Sequence, residues 1–170
     1  MTDVNNEILG PIRPVTKRWR KFVAVADGTP ESELAIRFAA IRACHMTGGG
    51  LILFHCIREE GFEHWMSVAD RMRQEAMANA NEIMDLQAEK ARDLTDVQAE
   101  KVIVEGVPHV ELAKFIEQRD DLFALVLGAD SGDDPGELIT HFAKDGLGHV
   151  KCPVIIIPCT MTEDQIDHLA

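Results

Sequence analysis

Residues 122–158, LFALVLGADSGDDPGELITHFAKDGLGHVKCPVIIIP, constrain the fold most. An apolar run at 122–127 is followed by a glycine-rich loop at 128–136. A helical stretch then covers roughly 136–147, and a second apolar run at 152–157 stops at Pro158. Short continuous apolar runs bounded by turn residues read as strands buried on both faces. The block therefore predicts strand, loop, helix, strand, which is half of an α/β unit of the kind that cradles phosphates. The loop itself carries Asp130, Asp133 and Asp134 and no Lys or Arg.

The same alternation runs through the rest of the chain. KFVAVA at 21–26 reads as a strand ending in the turn Asp27-Gly28. Thr29 then suits an N-cap, Pro30 the first helical position, and Glu31 and Glu33 the first turn. Gly48-Gly49-Gly50 ends that helix, and LILFHCI at 51–57 follows as a strand. His55 within it reads as a hydrogen-bonded core histidine. Residues 62–95 predict one long helix, with Trp65, Ala69, Met72, Ala76, Ala80, Ile83, Leu86 and Leu94 at spacings near three and four. Met66, Met72, Met77 and Met84 on it read as core packing. KVIVE at 101–105 is a strand, and Pro108 opens the next helix. The order β-α-β-α-β-α-β-α-β predicts a three-layer α/β/α sandwich around a five-stranded parallel sheet with right-handed crossovers. Ligands of such sheets bind beyond the carboxyl ends of the strands. Here those ends are Asp27-Gly28-Thr29, Cys56-Ile57, Glu105-Gly106 and 128–136.

Composition narrows the classes. The 170 residues suit one domain, and no apolar run reaches the roughly 20 residues of a membrane helix. With no signal-peptide-like start, a soluble cytoplasmic protein is expected. A net charge of -12 argues against nucleic-acid binding, which needs a basic surface. Arg13, Lys17, Arg18, Arg20 and Lys21 nevertheless outnumber Asp3 and Glu7 in the first 21 residues, so a basic leader precedes an acidic body. Cys44, Cys56, Cys152 and Cys159 form no Cys-x-x-Cys pair and read as buried free thiols, not metal ligands. There is no Gly-x-Ser-x-Gly elbow and no nucleophile–base pair, so no catalytic residue is assigned. The loops also lack the hydroxyl-rich cradle that would hold a flavin phosphate.

Taken together, FVAVADGTPESELAIRFA at 22–39, LILFHCI at 51–57, VEGVPHVELAKFIEQ at 104–118, LVLGADSG, and KCPVIIIP near the end resemble the universal stress protein family. The resemblance covers residues 21–158, leaving 1–20 as an N-terminal extension and 159–170 as a C-terminal tail. It implies the adenine nucleotide alpha hydrolase-like fold and a homodimer paired through the last strand, Val154, Ile155, Ile156 and Ile157. In nucleotide-binding members a Gly-x-x-Gly-x9-Gly-Ser/Thr motif holds the phosphates. By that resemblance, Asp27, Cys56, Gly128, Gly132 and Thr140 would line a site for ATP or AMP with Mg. The second glycine falls at Ser131, or at Gly132 if the loop shifts by one, and Thr140-His141 stands where Gly-Ser is expected.

At about 6 Å and an effective dielectric of about 20, each aspartate–phosphate pair would repel by roughly 2–3 kcal/mol. The plainer reading of Asp130, Asp133 and Asp134 is a polar turn before a helix. The expectation is thus a non-catalytic stress-response or interaction module with weak or no ATP binding and an unknown protein partner. The alternative is an adenine-nucleotide sensor with at most slow hydrolysis.

Overall fold

The computed structural model describes residues 20–58, 66–132, 134–146, 148 and 150–170. Residues 1–19 of the basic leader, Trp65, Asp133 and His149 lie outside the described residues, whereas Arg20 and Lys21 begin β1. The elements in chain order are β1 (Arg20–Val25), α1 (Pro30–His45), β2 (Gly49–Arg58), α2 (Met66–Thr95), β3 (Ala99–Gly106), α3 (Pro108–Glu117) and β4 (Leu122–Ala129). Then come α4 (Glu137–His141), a π-helical turn at Phe142–Gly146, β5 (Val154–Pro158) and α5 (Glu163–Leu169).

The five strands form one parallel sheet in the order β3-β2-β1-β4-β5. Alternation along each strand sends side chains to two cores. Phe22, Ala24, Leu51, Leu53, Ala124 and Val126 pack with Ala35, Ala39 and Ala40 of α1, Met84 of α2 and Ile166 of α5. Val23, Ile52, Phe54, Leu125 and Leu127 pack with Leu112 and Ile116 of α3, Ile139 of α4 and Phe142. Helices on both faces complete the three-layer α/β/α sandwich.

α1 starts as its sequence predicts. Thr29 is the N-cap, its Oγ1 accepts from the Ser32 amide, and Pro30 follows. The alanines of α1 let it sit low on the sheet. At Gly128 of β4 a β-carbon would stand 2.1 Å from the carbonyl oxygen of Glu31. That glycine is required by helix–strand contact, whatever binds nearby.

Several expectations are corrected. The buried face of α2 is Ala80, Met84, Gln87 and Ala91, whereas Met72, Leu86 and Leu94 are 38%, 49% and 40% exposed. Gln87 can occupy a core position because its amide donates to Glu33 Oε1 at 2.9 Å, so no buried polar group is orphaned. Of the methionines, Met84 is buried and Met77 half-buried. The helix expected over roughly 136–147 is present as helical backbone from Glu137 to Gly146, α-helical to His141 and π-helical from Phe142. Gly146 and Gly148 weaken any longer helix there.

Residues 159–170, read above as a tail, contain α5. Thr162 and Gln165 form a capping box, and Ile166 is fully buried. Arg37 of α1 grips Asp167 through two hydrogen bonds of 2.7 Å and reaches Glu163 at 3.0 Å.

At the amino ends of the strands an ion cluster joins β1, β3 and β4. Lys21 Nζ lies 2.6 Å from Glu100, and Arg119 bridges Glu100 at 2.8 Å and Asp121 at 2.7 Å. Arg119 also holds both carboxyls below their usual range. The four cysteines form no disulfide; Cys44 is exposed and the others are half-buried, so none is deep in a core. Burial pushes the Cys152 thiol up, away from the reactive thiolate.

Candidate functional site

The chain crosses from one half of the sheet to the other between β1 and β4, and a cleft opens there beyond the strand ends. Its volume is about 230 Å³. A second groove of about 540 Å³ lies on the far side of His55, Cys56 and Arg58, against α2.

The cleft wall is built from turns that the local sequence dictates. Gly28 takes φ +83°, a conformation glycine adopts without penalty, and so turns β1 sharply into α1. Asp27 Oδ1 then accepts from the Thr29 amide at 3.0 Å and from the Thr29 hydroxyl at 2.7 Å. This carboxylate is therefore part of the α1 capping arrangement. His55 is half-buried, and its Nδ1–H donates to the Ala26 carbonyl at 2.5 Å, tying β2 to the end of β1. The Cys56 thiol points to the Gly106 carbonyl at 3.5 Å.

Of the nucleotide-site residues suggested by sequence, Asp27, Cys56 and Gly128 converge on the cleft. Gly132 and Thr140 are not in its wall. Gly132 sits in the exposed loop, where a β-carbon would lie 3.9 Å from the Asp134 amide nitrogen. Thr140 is half-buried in α4, its amide donating to the Gly136 carbonyl at 2.9 Å. The loop aspartates serve their own backbone. Asp130 accepts from the Ser131 amide, and Asp134 accepts from the Gly136 amide at 3.0 Å. These are local side-chain turns of the kind that begin helices.

Three residues that sequence reasoning did not single out dominate the cleft's electrostatics. Glu137, the first residue of α4, lies 2.6 Å from Arg58 at the end of β2 and 3.1 Å from His109 Nδ1 at the start of α3. The Arg58 guanidinium first, then His109, holds the Glu137 carboxyl below the usual carboxylate range. The His109 ring stacks on that of His141, with centroids 4.3 Å apart. The loop's missing cation is thus supplied by Arg58, from a neighbouring strand end. A basic residue closing an apolar strand was the available signal. Among the described residues, the cleft wall holds four carboxylates, Asp27, Glu31, Asp130 and Glu137, against the single guanidinium of Arg58. Among them too, no group of three His, Cys, Asp or Glu side chains is placed to hold a metal.

Comparison with known proteins agrees with this architecture. The universal stress protein UspA from Lactobacillus plantarum has a similar fold, with a TM-score of 0.65 at 17% identity over 84% of this chain and 99% of that one. A universal stress protein from Archaeoglobus fulgidus gives a TM-score of 0.63 at 21% identity, covering 82% of this chain and 94% of its own. A universal stress protein solved in complex with cAMP gives a TM-score of 0.59 at 16% identity, covering 83% and 98%. A search of curated protein sequences found no match. The family model of the Universal stress protein family matches residues 18–158, and the chain belongs to that family.

Proposed function

We propose that this chain is a non-catalytic stress-response and interaction module that works as a homodimer and binds ATP weakly or not at all. The observation that carries the reading is the state of the cleft. It is smaller than the roughly 300 Å³ at the low end of ligand pockets, and its carboxylates outnumber its cations. A triphosphate brought there meets repulsion with one guanidinium to offset it.

Dimerisation is supported by β5. It is an edge strand with β4 as its neighbour, and its Ile156 is 44% exposed. Such an edge is normally covered, and two-fold pairing of β5 with its copy would cover it. A protein partner would read the remaining surface. The net charge of -12 disfavours nucleic acid. No helix among the described residues is long and apolar enough to cross a membrane, which fits the cytoplasmic placement proposed here.

Titration calorimetry with ATP and Mg²⁺ tests the reading. No heat at millimolar nucleotide is expected, and a micromolar dissociation constant overturns it. The second reading, an adenine-nucleotide sensor for ATP or AMP with Mg, is favoured by one observation: Asp27, Cys56 and Gly128 do meet at the cleft.

A further inference from the structure

We infer that Arg58 and His109 form an anion-binding pair whose built-in occupant is Glu137, so that an internal carboxylate holds a place a phosphate-bearing small molecule would otherwise take. The inference rests on the proposal that the present cleft binds nucleotide weakly or not at all, and it assigns a cause.

The geometry is that of a liganded anion. Each Glu137 oxygen has its own donor, Oε2 facing Arg58 at 2.6 Å and Oε1 facing His109 Nδ1 at 3.1 Å. The donors come from two different elements, the end of β2 and the first turn of α3, so they converge from separate directions. The ring of His141 packs against that of His109, centroids 4.3 Å apart and 30° from parallel. Arg58 and Glu137 both line the switch-point cleft, beside Gly128. A guanidinium N–H and an imidazole N–H suit the oxygens of a phosphate as well as they suit those of a carboxylate. Glu137 competes in two ways: it neutralises Arg58, and its charge repels an arriving anion. Because the contact is partly exposed to solvent, it is weak enough to yield.

The test uses the full chain and inorganic pyrophosphate, with Glu137→Gln, Glu137→Ala, Glu137→Gln/Arg58→Gln and Glu31→Gln compared by calorimetry. Both single Glu137 variants are expected to bind pyrophosphate at least tenfold more tightly than the unchanged protein, and the double variant to lose that gain. Glu31→Gln removes one cleft carboxylate without freeing Arg58 and is expected to gain far less. Unchanged affinity in both Glu137 variants overturns the inference. So does a gain that survives loss of Arg58, or an equal gain in Glu31→Gln. Micromolar ATP binding by the unchanged protein would sink the weak-binding proposal instead, leaving the pyrophosphate comparison to be read on its own.

Discussion

Gly128 and Glu31 meet backbone to backbone: a β-carbon on Gly128 would lie 2.1 Å from the Glu31 carbonyl oxygen and 2.4 Å from its carbon. The obstacle is main chain at the start of α1, so no side-chain rotation relieves it. Gly128→Ala is expected to destabilise the fold by about 3 kcal/mol, the upper part of the overpacking range. Gly132→Ala, whose β-carbon would make ordinary van der Waals contact with the Asp134 backbone, should stay within about 0.5 kcal/mol of the parent. Urea unfolding midpoints compare the two, and equal stability of both variants would refute the packing account.

The docking of α5 rests on one fully buried side chain and one forked arginine. Ile166→Ala is expected to cost about 2–4 kcal/mol, because it leaves a cavity among α1, β5 and α5. Arg37→Ala, whose contacts with Asp167 and Glu163 are partly solvated, should cost about 1 kcal/mol. Thermal unfolding of the three proteins orders them; a larger loss in Arg37→Ala than in Ile166→Ala would contradict that ranking.

Ile156 is the exposed apolar residue of the edge strand β5, between half-buried Ile155 and buried Ile157. Its outward position predicts that Ile156→Asp folds yet loses the proposed two-fold pairing. Sedimentation velocity should show a dimer for the parent and a monomer for the variant. A soluble variant that remains dimeric places the interface elsewhere.

The cluster of Lys21, Glu100, Arg119 and Asp121 makes stability depend on acid. Arg119 keeps the Glu100 and Asp121 carboxyls below their ordinary values of 4.5 and 3.8. Groups with depressed values stabilise the fold above those ordinary values, and the stabilisation fades as pH falls through the depressed ones. Arg119→Ala should therefore cost about 1 kcal/mol at neutral pH, including lost stacking over Phe115 at 5.4 Å. The gap between parent and variant should narrow below pH 4.5. Denaturant midpoints from pH 7 to pH 3 measure it, and a gap that widens on acidification contradicts the assignment.

The sheet was legible because its strands are short apolar runs between glycines, aspartates and prolines, and each run matches a strand to within a few residues. The helix starts at Thr29-Pro30 and Pro108 were legible for the same local reason, since a capping hydroxyl at Thr29 and a proline at the first helical position of each are written in neighbouring residues. The register of α2 was not. Gln87 reads as polar and Leu86 as apolar, and only the distant Glu33 explains why the amide goes inside. α5 buries a single residue, Ile166, so it carries little periodicity, and 159–170 reads as a tail although the structure shows a capping box at Thr162 and Gln165. At the cleft, Asp27, Cys56 and Gly128 could be placed because each lies within two residues of a strand's carboxyl end. The Arg58–Glu137–His109 contact joins three elements far apart in the chain, and no local pattern encodes it.

The strand order also sets a timetable for synthesis and folding. β1, β2 and β3 lie side by side in the order the chain makes them, so this half of the sheet can assemble from neighbouring segments. The other side of β1 waits for β4, since Phe22 pairs with Ala124 and Val23 with Leu125. Until the translating chain has passed β4, the central strand of the finished sheet keeps an open row of amides and carbonyls. That interval, not the completed fold, is when this chain is most exposed to pairing with the wrong neighbour.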